Sequence, residues 1–302
     1  MKLILLSDMH LMERTPQCRT DNFESSQFDK LEFILKYAQQ HQYPILQAGD
    51  FFDRPRGYKV LFQVIQLLNK YSNVDIYCIA GQHDMYLRTD QTTNINILDH
   101  SNFISKLGTV PHTINKNITL YGCNWNDPIP KILKNRSSTH ILIIHAPITI
   151  PKDETYLDYI DYDKANAFIK KHKGFDLILC GDIHKKFTYK KNDRIICNTG
   201  PLLRTTADKH IISHKPIFFV YDTIKKTIKT VAIPHKDAMD IITTEHIERK
   251  NEIAEILDDF VGKLKEEKTD SMNIIKAIQN IIKKDNIESD VKNILADLIE
   301  EK

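Results

Sequence analysis

The chain is 302 residues long, 41% apolar and 27% charged, with a formal net charge of +2. Those values are ordinary for a globular protein of one large or two smaller domains. They exclude a global field that would by itself attract nucleic acid, while leaving room for a local basic groove. No run of about 18 apolar residues occurs, so no membrane-spanning helix is expected.

The opening Met1–Leu6 is apolar but too short for a signal peptide, and it runs straight into Ser7-Asp8-Met9-His10 with no cleavage pattern. Apolar runs predict strands at Leu3–Leu6, Pro44–Gln47, Val74–Ala80, Thr119–Gly122, His140–Ile144 and Leu177–Cys180. Helical spacing predicts helices over Gln27–Gln40, Lys59–Lys70 and Lys164–Lys171. Such alternation points to a layered α/β domain.

From Arg194 the character changes. Arg194–Asn198, Pro216–Asp222 and Lys229–Ile233 read as strands, with a hairpin turn at Lys225-Lys226. These strands are expected to complete a second sheet packed on the first. After Pro234 the chain turns charged and helical, with Ile/Leu stripes in Glu245–Lys268, Ser271–Lys284 and Ser289–Glu300. The expected organisation is a catalytic domain over 1–235 and a helical cap or partner-docking segment over 236–302. Asp127–Ser138, with two prolines, is the surface-loop candidate. Trp125 is expected to pack in the core, with a place lining a cleft after a strand end as the alternative. The five cysteines have no paired spacing, and three lie in apolar runs. Reduced, buried thiols in a cytoplasmic protein are expected.

Five places share one grammar, an apolar run followed by Asp or His. They are Asp8-Met9-His10, Gly49-Asp50-Phe51-Phe52-Asp53-Arg54, Gly81-Gln82-His83-Asp84, His145-Ala146-Pro147 and Gly181-Asp182-Ile183-His184. Ligand sites in open α/β sheets lie beyond the carboxyl ends of strands, so five polar clusters in that position should converge. Any one of them alone is more often a turn or a helix cap than a metal ligand; five in order reverse that reading. Carboxylates and imidazoles without thiolates suit Mn, Fe or Zn, and an oxygen-rich set leans toward Mn or Mg. Two metals sharing a carboxylate and a water lower the pKa of that water and clamp a phosphoryl group.

This motif set resembles the calcineurin-like metallophosphoesterase superfamily, whose signature is D-x-H, G-D-x-x-D, G-N-H-D, a lone H and G-H-x-H. The match in order and strand context covers roughly residues 1–235. Within the superfamily the chain is most similar to the SbcD-type DNA repair nucleases, the partners of SbcC-type coiled-coil ATPases. Ser7-Asp8-Met9-His10-Leu11, Gly49-Asp50-Phe51-Phe52-Asp53 and Asn198-Thr199-Gly200-Pro201-Leu202-Leu203-Arg204 carry that likeness.

The resemblance implies a four-layer α-β-β-α sandwich with a C-terminal helical appendage. It implies two divalent ions, with Mn favoured and Mg, Fe or Zn as alternatives. Asp8, His10 and His184 would hold the first ion, Asp50 would bridge, and Gln82, His145 and Asp182 would hold the second. A metal-bridged hydroxide would attack phosphorus, and His83 would protonate the leaving oxygen, oriented by Asp53. Arg54 would contact a phosphate oxygen, or else make a surface ion pair. Two positions depart from the pattern: Gln82 stands for Asn, and Asp182 for His. Both fall on the second ion, which is expected to be harder than usual or else weakened.

The implied function is a DNA exo- or endonuclease subunit working with an SbcC-type ATPase docked on the C-terminal helices, with homodimerisation open. The chain has no Gly-x-x-x-x-Gly-Lys-Ser/Thr loop, so ATP use would come from that partner. Two alternatives stay open: a phosphatase or phosphodiesterase acting on nucleotides or phosphoproteins, and a weakly active scaffold that binds a coiled-coil partner.

Overall fold

The structure, a computed structural model, describes residues 1–132, 138–150, 163–251, 253 and 254. Backbone contacts divide the chain into Met1–Ile242 and Thr243–Lys302. In chain order the first unit contains β1 (Lys2–Leu6), α1 (Phe23–His41), β2 (Ile45–Gln47), α2 (Tyr58–Lys70), β3 (Ile76–Cys78), α3 (Asn94–His100) and β4 (Ser105–Lys106). There follow β5 (His112–Asn115), β6 (Ile118–Cys123), β7 (Thr139–His145), β8 (Ile148–Thr149), β9 (Asp163–Lys164), α4 (Ala165–Lys171) and β10 (Leu177–Gly181). The unit closes with β11 (Phe187–Lys191), β12 (Arg194–Asn198), α5 (Lys209–Ser213), β13 (Ile217–Asp222) and β14 (Thr227–Ala232). A helix begins at Glu245 in the second unit. The rest of the expected Glu245–Lys268 helix, those over Ser271–Lys284 and Ser289–Glu300, and most of the tip of the Asp127–Ser138 loop lie outside the described residues.

Two six-stranded sheets form, in the orders β14-β13-β1-β2-β3-β4 and β11-β12-β10-β7-β6-β5. The period-two alternation of side chains assigns each strand's residues to two faces. In β1, Ile4 and Leu6 join the core beneath α1 and α2, whereas Leu3 and Leu5 join the core between the sheets. In β7 and β10, Ile141, Ile143, Leu177 and Leu179 face the inter-sheet core. Their neighbours Leu142, Ile144, Ile178 and Cys180 pack under Phe168 and Ile169 of α4. Three apolar interfaces separate four layers, so the fold is the expected α-β-β-α sandwich. The five cysteines are all free and buried.

One expectation about the later strands is corrected. They do not all enter the second sheet: β12 pairs with β10, but β13 pairs antiparallel with β1. The cause lies in β1, whose residues 3–6 are buried on both faces. Its outer edge needs a partner, and the β13–β14 hairpin supplies one. Trp125 is half-buried rather than in the core, and its amide donates to the Ala80 carbonyl at the end of β3.

Local chemistry fixes the helices. The Asn22 side chain accepts from the Ser25 amide at the start of α1, and Gln42 ends that helix in a left-handed conformation. The first turn of α2 is capped from a distance, by Glu13 Oε1 accepting from the amides of Lys59 (2.6 Å) and Val60 (3.3 Å). Glu13 follows the first motif closely, so this contact ties the Asp8–His10 loop to α2.

The buried face of α1 includes Lys30, whose ammonium donates to the Ser26 carbonyl (2.9 Å) and Ser26 Oγ (2.6 Å). Burial lowers its pKa from 10.5 to about 8. From about pH 8 to 10.5 the folded chain has released a proton that the unfolded chain still holds. Lys30 therefore makes stability rise with pH across that window, and its cost is felt in full below it. Denaturant midpoints measured from pH 7 to 10 are expected to climb more steeply for the natural chain than for Lys30→Met. Parallel curves would contradict the assignment.

Candidate metal centre

Strands β1, β2 and β3 run parallel, as do β7 and β10. The five motifs therefore emerge at carboxyl ends. Asp8, His10 and Asp50 all adopt left-handed backbone conformations (φ 48°, 47° and 52°), as do Asp182 (φ 83°) and Gly49 (φ 84°). For residues with a Cβ this conformation is uncommon and is concentrated at functional sites. Here it turns each chain sharply off its strand and points the side chain inward.

Neighbouring segments hold these turns in place. The Ser7 amide and hydroxyl bond Thr199 Oγ1 (2.9 Å) and Asn198 Oδ1 (3.0 Å). Asn198 Nδ2 donates to the Ile183 carbonyl (2.8 Å), and the Leu202 amide donates to the Asp8 carbonyl (3.0 Å). The Asn198–Leu202 segment thus locks the first motif to the fifth. Asp84, fully buried, accepts from the amides of Phe51 (3.1 Å), Phe52 (3.0 Å) and Gly81 (3.0 Å). It clamps the second motif to the third, a role that sequence alone did not assign. A Cβ on Gly81 would lie 2.1 Å from Asp50 Oδ1, so glycine is required where these loops touch.

The ligand atoms converge in three overlapping groups: Asp8, His10 and His184; His10, Asp50 and His83; Asp8, Asp50 and His145. Within each group they lie within 4.8 Å of one another. Asp50 Oδ2 stands 3.6 Å from His10 Nε2 and 3.3 Å from His145 Nε2, between the two halves of the cluster. The Nε2 atoms of His10 and His184 face each other at 3.0 Å. His145 Nδ1 donates to the Ala48 carbonyl (2.7 Å), which fixes the tautomer and directs the Nε2 lone pair into the cluster.

Four buried side-chain atoms of the motifs have no hydrogen-bond partner: Asp8 Oδ2, Asp50 Oδ2, Gln82 Oε1 and His145 Nε2. Buried acceptors are rarely left so, and these share one locus. Burial raises Asp8 to about 6, against the pull of His145. His145 and His10 are raised as well: burial lowers them, but the Asp50, Asp53 and Asp8 carboxylates more than reverse it and take His145 to about 10. His184, half-buried beside His10, falls to about 3, through desolvation first and then the neighbouring His10. Such a cluster is stabilised by added positive charge. Its donors are carboxylate, imidazole and amide oxygen, which fits divalent ions of the Mn, Mg, Fe or Zn kind.

The remaining candidates are placed as follows. Gln82 and Asp182, the two departures from the family pattern, meet each other: Gln82 Nε2 donates to Asp182 Oδ1 at 2.9 Å. The Asp182 amide also donates to Asp8 Oδ1 (2.8 Å), while its carboxylate stands outside the three ligand groups. Gln82 keeps its oxygen free of other bonds, so a longer amide and a shorter acid together fill the space. The His83 amide donates to Asp50 Oδ1 (2.9 Å), and His83 Nδ1 donates to the backbone carbonyl of Asp53 (2.8 Å). The Asp53 carboxylate, expected at His83, instead lies 3.6 Å from His10 Nδ1. The turn after Asp50 presents the Asp53 carbonyl to His83 and sends its side chain toward the first motif. Arg54 is exposed and has no ion-pair partner among the described residues.

The calcineurin-like phosphoesterase family model matches residues 1–186. A similar relative is the DNA double-strand break repair protein Mre11 of Sulfolobus acidocaldarius, 27% identical over 199 residues, covering 62% of this chain and 50% of that protein. The match thus spans half the length of that relative. Similar solved structures include TT1561 of Thermus thermophilus, with a TM-score of 0.48 and 10% identity over 77% of this chain and 99% of that one. Another is PH1004 of Pyrococcus horikoshii, with a TM-score of 0.43 and 12% identity over 84% of this chain and 93% of that one. No helix among the described residues is long and apolar enough to cross a membrane. With the family model matched over more than half its length and the family's donor set gathered at its strand ends, the chain belongs to the calcineurin-like phosphoesterases and is a metallophosphoesterase.

Proposed function

We propose that this metallophosphoesterase is a DNA nuclease subunit, hydrolysing phosphodiesters at DNA ends or in single strands. The observation that carries the reading is the convergence of Asp8, His10, Asp50, His83, His145 and His184 on one locus, where Asp8 Oδ2 and Gln82 Oε1 are buried without a hydrogen-bond partner. The repair-protein relative supports DNA as the substrate. When bound, two divalent ions supply a water of lowered pKa and neutralise charge on the phosphoryl group. Asp8, His10 and His184 would hold one ion and Gln82 and His145 the other, with Asp182 beside Gln82 and Asp50 placed between the two sets. The oxygen-rich second set favours Mn or Mg over Zn.

The chain's own residues do the rest. His83, held through Nδ1 by the Asp53 carbonyl, presents Nε2 to the leaving alkoxide and gives it a proton. Asp53 orients His10 through Nδ1, and Arg54 meets a phosphate oxygen. Residues 1–235 carry the chemistry, and 236–302 dock an SbcC-type coiled-coil ATPase. Digestion of end-labelled duplex and single-stranded DNA in Mn, beside a chromogenic phosphodiester, tests the reading. Cleavage of DNA is expected; turnover of the small ester alone would end the nuclease claim.

A further inference from the structure

Beside the metal centre lies a cleft of about 170 Å³, of which the chemistry above uses only Asp53 and Arg54. One wall is the Leu11–Arg14 stretch that follows the first motif, and the other is Asp53, Arg54 and Arg56 of the second motif's loop. Asp53 belongs both to this lining and, through His10, to the metal centre, so the two spaces adjoin. Three arginines line the cleft against two acids. Asp53 feels the Arg54 charge, so the excess of positive charge rests on Arg14 and Arg56. Glu13 is committed to the α2 amides and Asp53 faces His10.

The arginines differ in how they are held. Arg56 is pinned: its guanidinium donates to the Thr92 carbonyl (3.1 Å) and Thr92 Oγ1 (2.6 Å) and stacks 3.9 Å over the Tyr86 ring. All three are exposed, and Arg14 and Arg54 have no ion-pair partner among the described residues. The loop carrying Tyr86 follows His83 directly and places Leu87 (82% exposed, φ 51°) and Arg88 (φ 65°) in left-handed conformations. An arginine preorganised on an aromatic ring, with two more guanidiniums in a cleft, matches a phosphate group in charge and donor geometry. A monoester bound at the metals would leave this cleft empty; a phosphodiester chain would continue into it.

We propose that Arg14 and Arg56, across the cleft beside Arg54, form a second phosphate subsite, which holds a backbone phosphate of a nucleic-acid strand beside the one being cut. The proposal rests on the nuclease reading for its ligand, but binding and cleavage separate the two. The Mn-loaded full chain is titrated with a fluorescent, cleavage-resistant phosphorothioate single strand across a range of KCl concentrations. The double variant Arg14→Ala/Arg56→Ala is expected to bind about tenfold more weakly, as loss of a charged hydrogen bond implies. Its log–log salt slope should flatten by about 0.7, one phosphate contact on a single strand.

Lys116→Ala removes a charge from the β5–β6 turn at the opposite end of the sheet, and should keep the natural slope. Arg14→Lys/Arg56→Lys guards against misfolding: with the charge retained, the slope should return while affinity stays reduced. Equal slopes and affinities for the natural chain and the alanine variant would overturn the subsite, whether or not DNA is cut. Salt-dependent binding lost in the alanine variant, with no cleavage of an ordinary strand by the natural chain, would sink the nuclease reading and leave the subsite standing.

Discussion

Replacing His83 with glutamine is expected to cut turnover on DNA by about 10²–10⁴-fold, the usual contribution of a positioned general acid. His83 is fixed at both ends of its role. Its amide donates to Asp50 Oδ1 and its Nδ1 to the Asp53 carbonyl, so the ring turns only its Nε2 edge toward the cluster. A deoxyribose alkoxide is a poor leaving group that needs a proton, whereas p-nitrophenolate does not. The loss should therefore be far smaller on a p-nitrophenyl diester. His83 also lies within one of the ligand groups, with His10 and Asp50, so metal content must be measured alongside. Equal losses on both substrates, with metal content reduced, would make His83 a ligand rather than the acid.

Asp84→Ala is expected to destabilise the protein by roughly 3–5 kcal/mol, since each of three buried amides left without an acceptor costs about 1–3 kcal/mol before relaxation. The three donors come from Phe51, Phe52 and Gly81. They belong to the turns that aim Asp50 and Gln82, so the variant should also lose metal. Asp84 is raised to about 6 by burial and then by the Asp50 charge, a cost the three amides partly offset. Asp84→Asn keeps the shape but turns a donor toward amide donors, and should fall between the natural chain and Asp84→Ala. Denaturant unfolding in excess chelator, which removes the metal contribution, reads the protein's own share. A change below about 1 kcal/mol for Asp84→Ala would contradict the clamp.

Much of the sandwich was legible because its strands are buried on both faces. Such runs as Leu3–Leu6 and Leu177–Cys180 announce themselves as unbroken apolar stretches, and the amphipathic α1 and α2 by their spacing. The short or edge pieces β4, β5, β11, α3 and α5 carry too little periodicity to stand out. The partner of β1 was illegible for another reason: an antiparallel hairpin from the far end of the chain can cap either sheet, and only the buried outer edge of β1 decides.

At the site, the grammar of five motifs foretold which residues meet. It could not foretell the left-handed turns at Asp8, His10, Asp50 and Asp182, because Asp and His only modestly favour positive φ and most of them adopt ordinary conformations. Those turns, rather than residue identity, decide that the Asp53 carboxylate reaches His10 and leaves only its carbonyl for His83. The contact between Gln82 and Asp182 was likewise hidden, one hundred residues apart in sequence. It joins the two departures from the family pattern in one contact.

Metal stoichiometry tests the central claim most directly. The full chain, stripped with chelator, loaded with Mn and freed of loosely held ions by gel filtration, is analysed by plasma mass spectrometry. Two ions per chain are predicted, with Asp50→Ala losing both because it removes the shared carboxylate. One firmly held ion per chain, undiminished in Asp50→Ala, would contradict a centre built around Asp50.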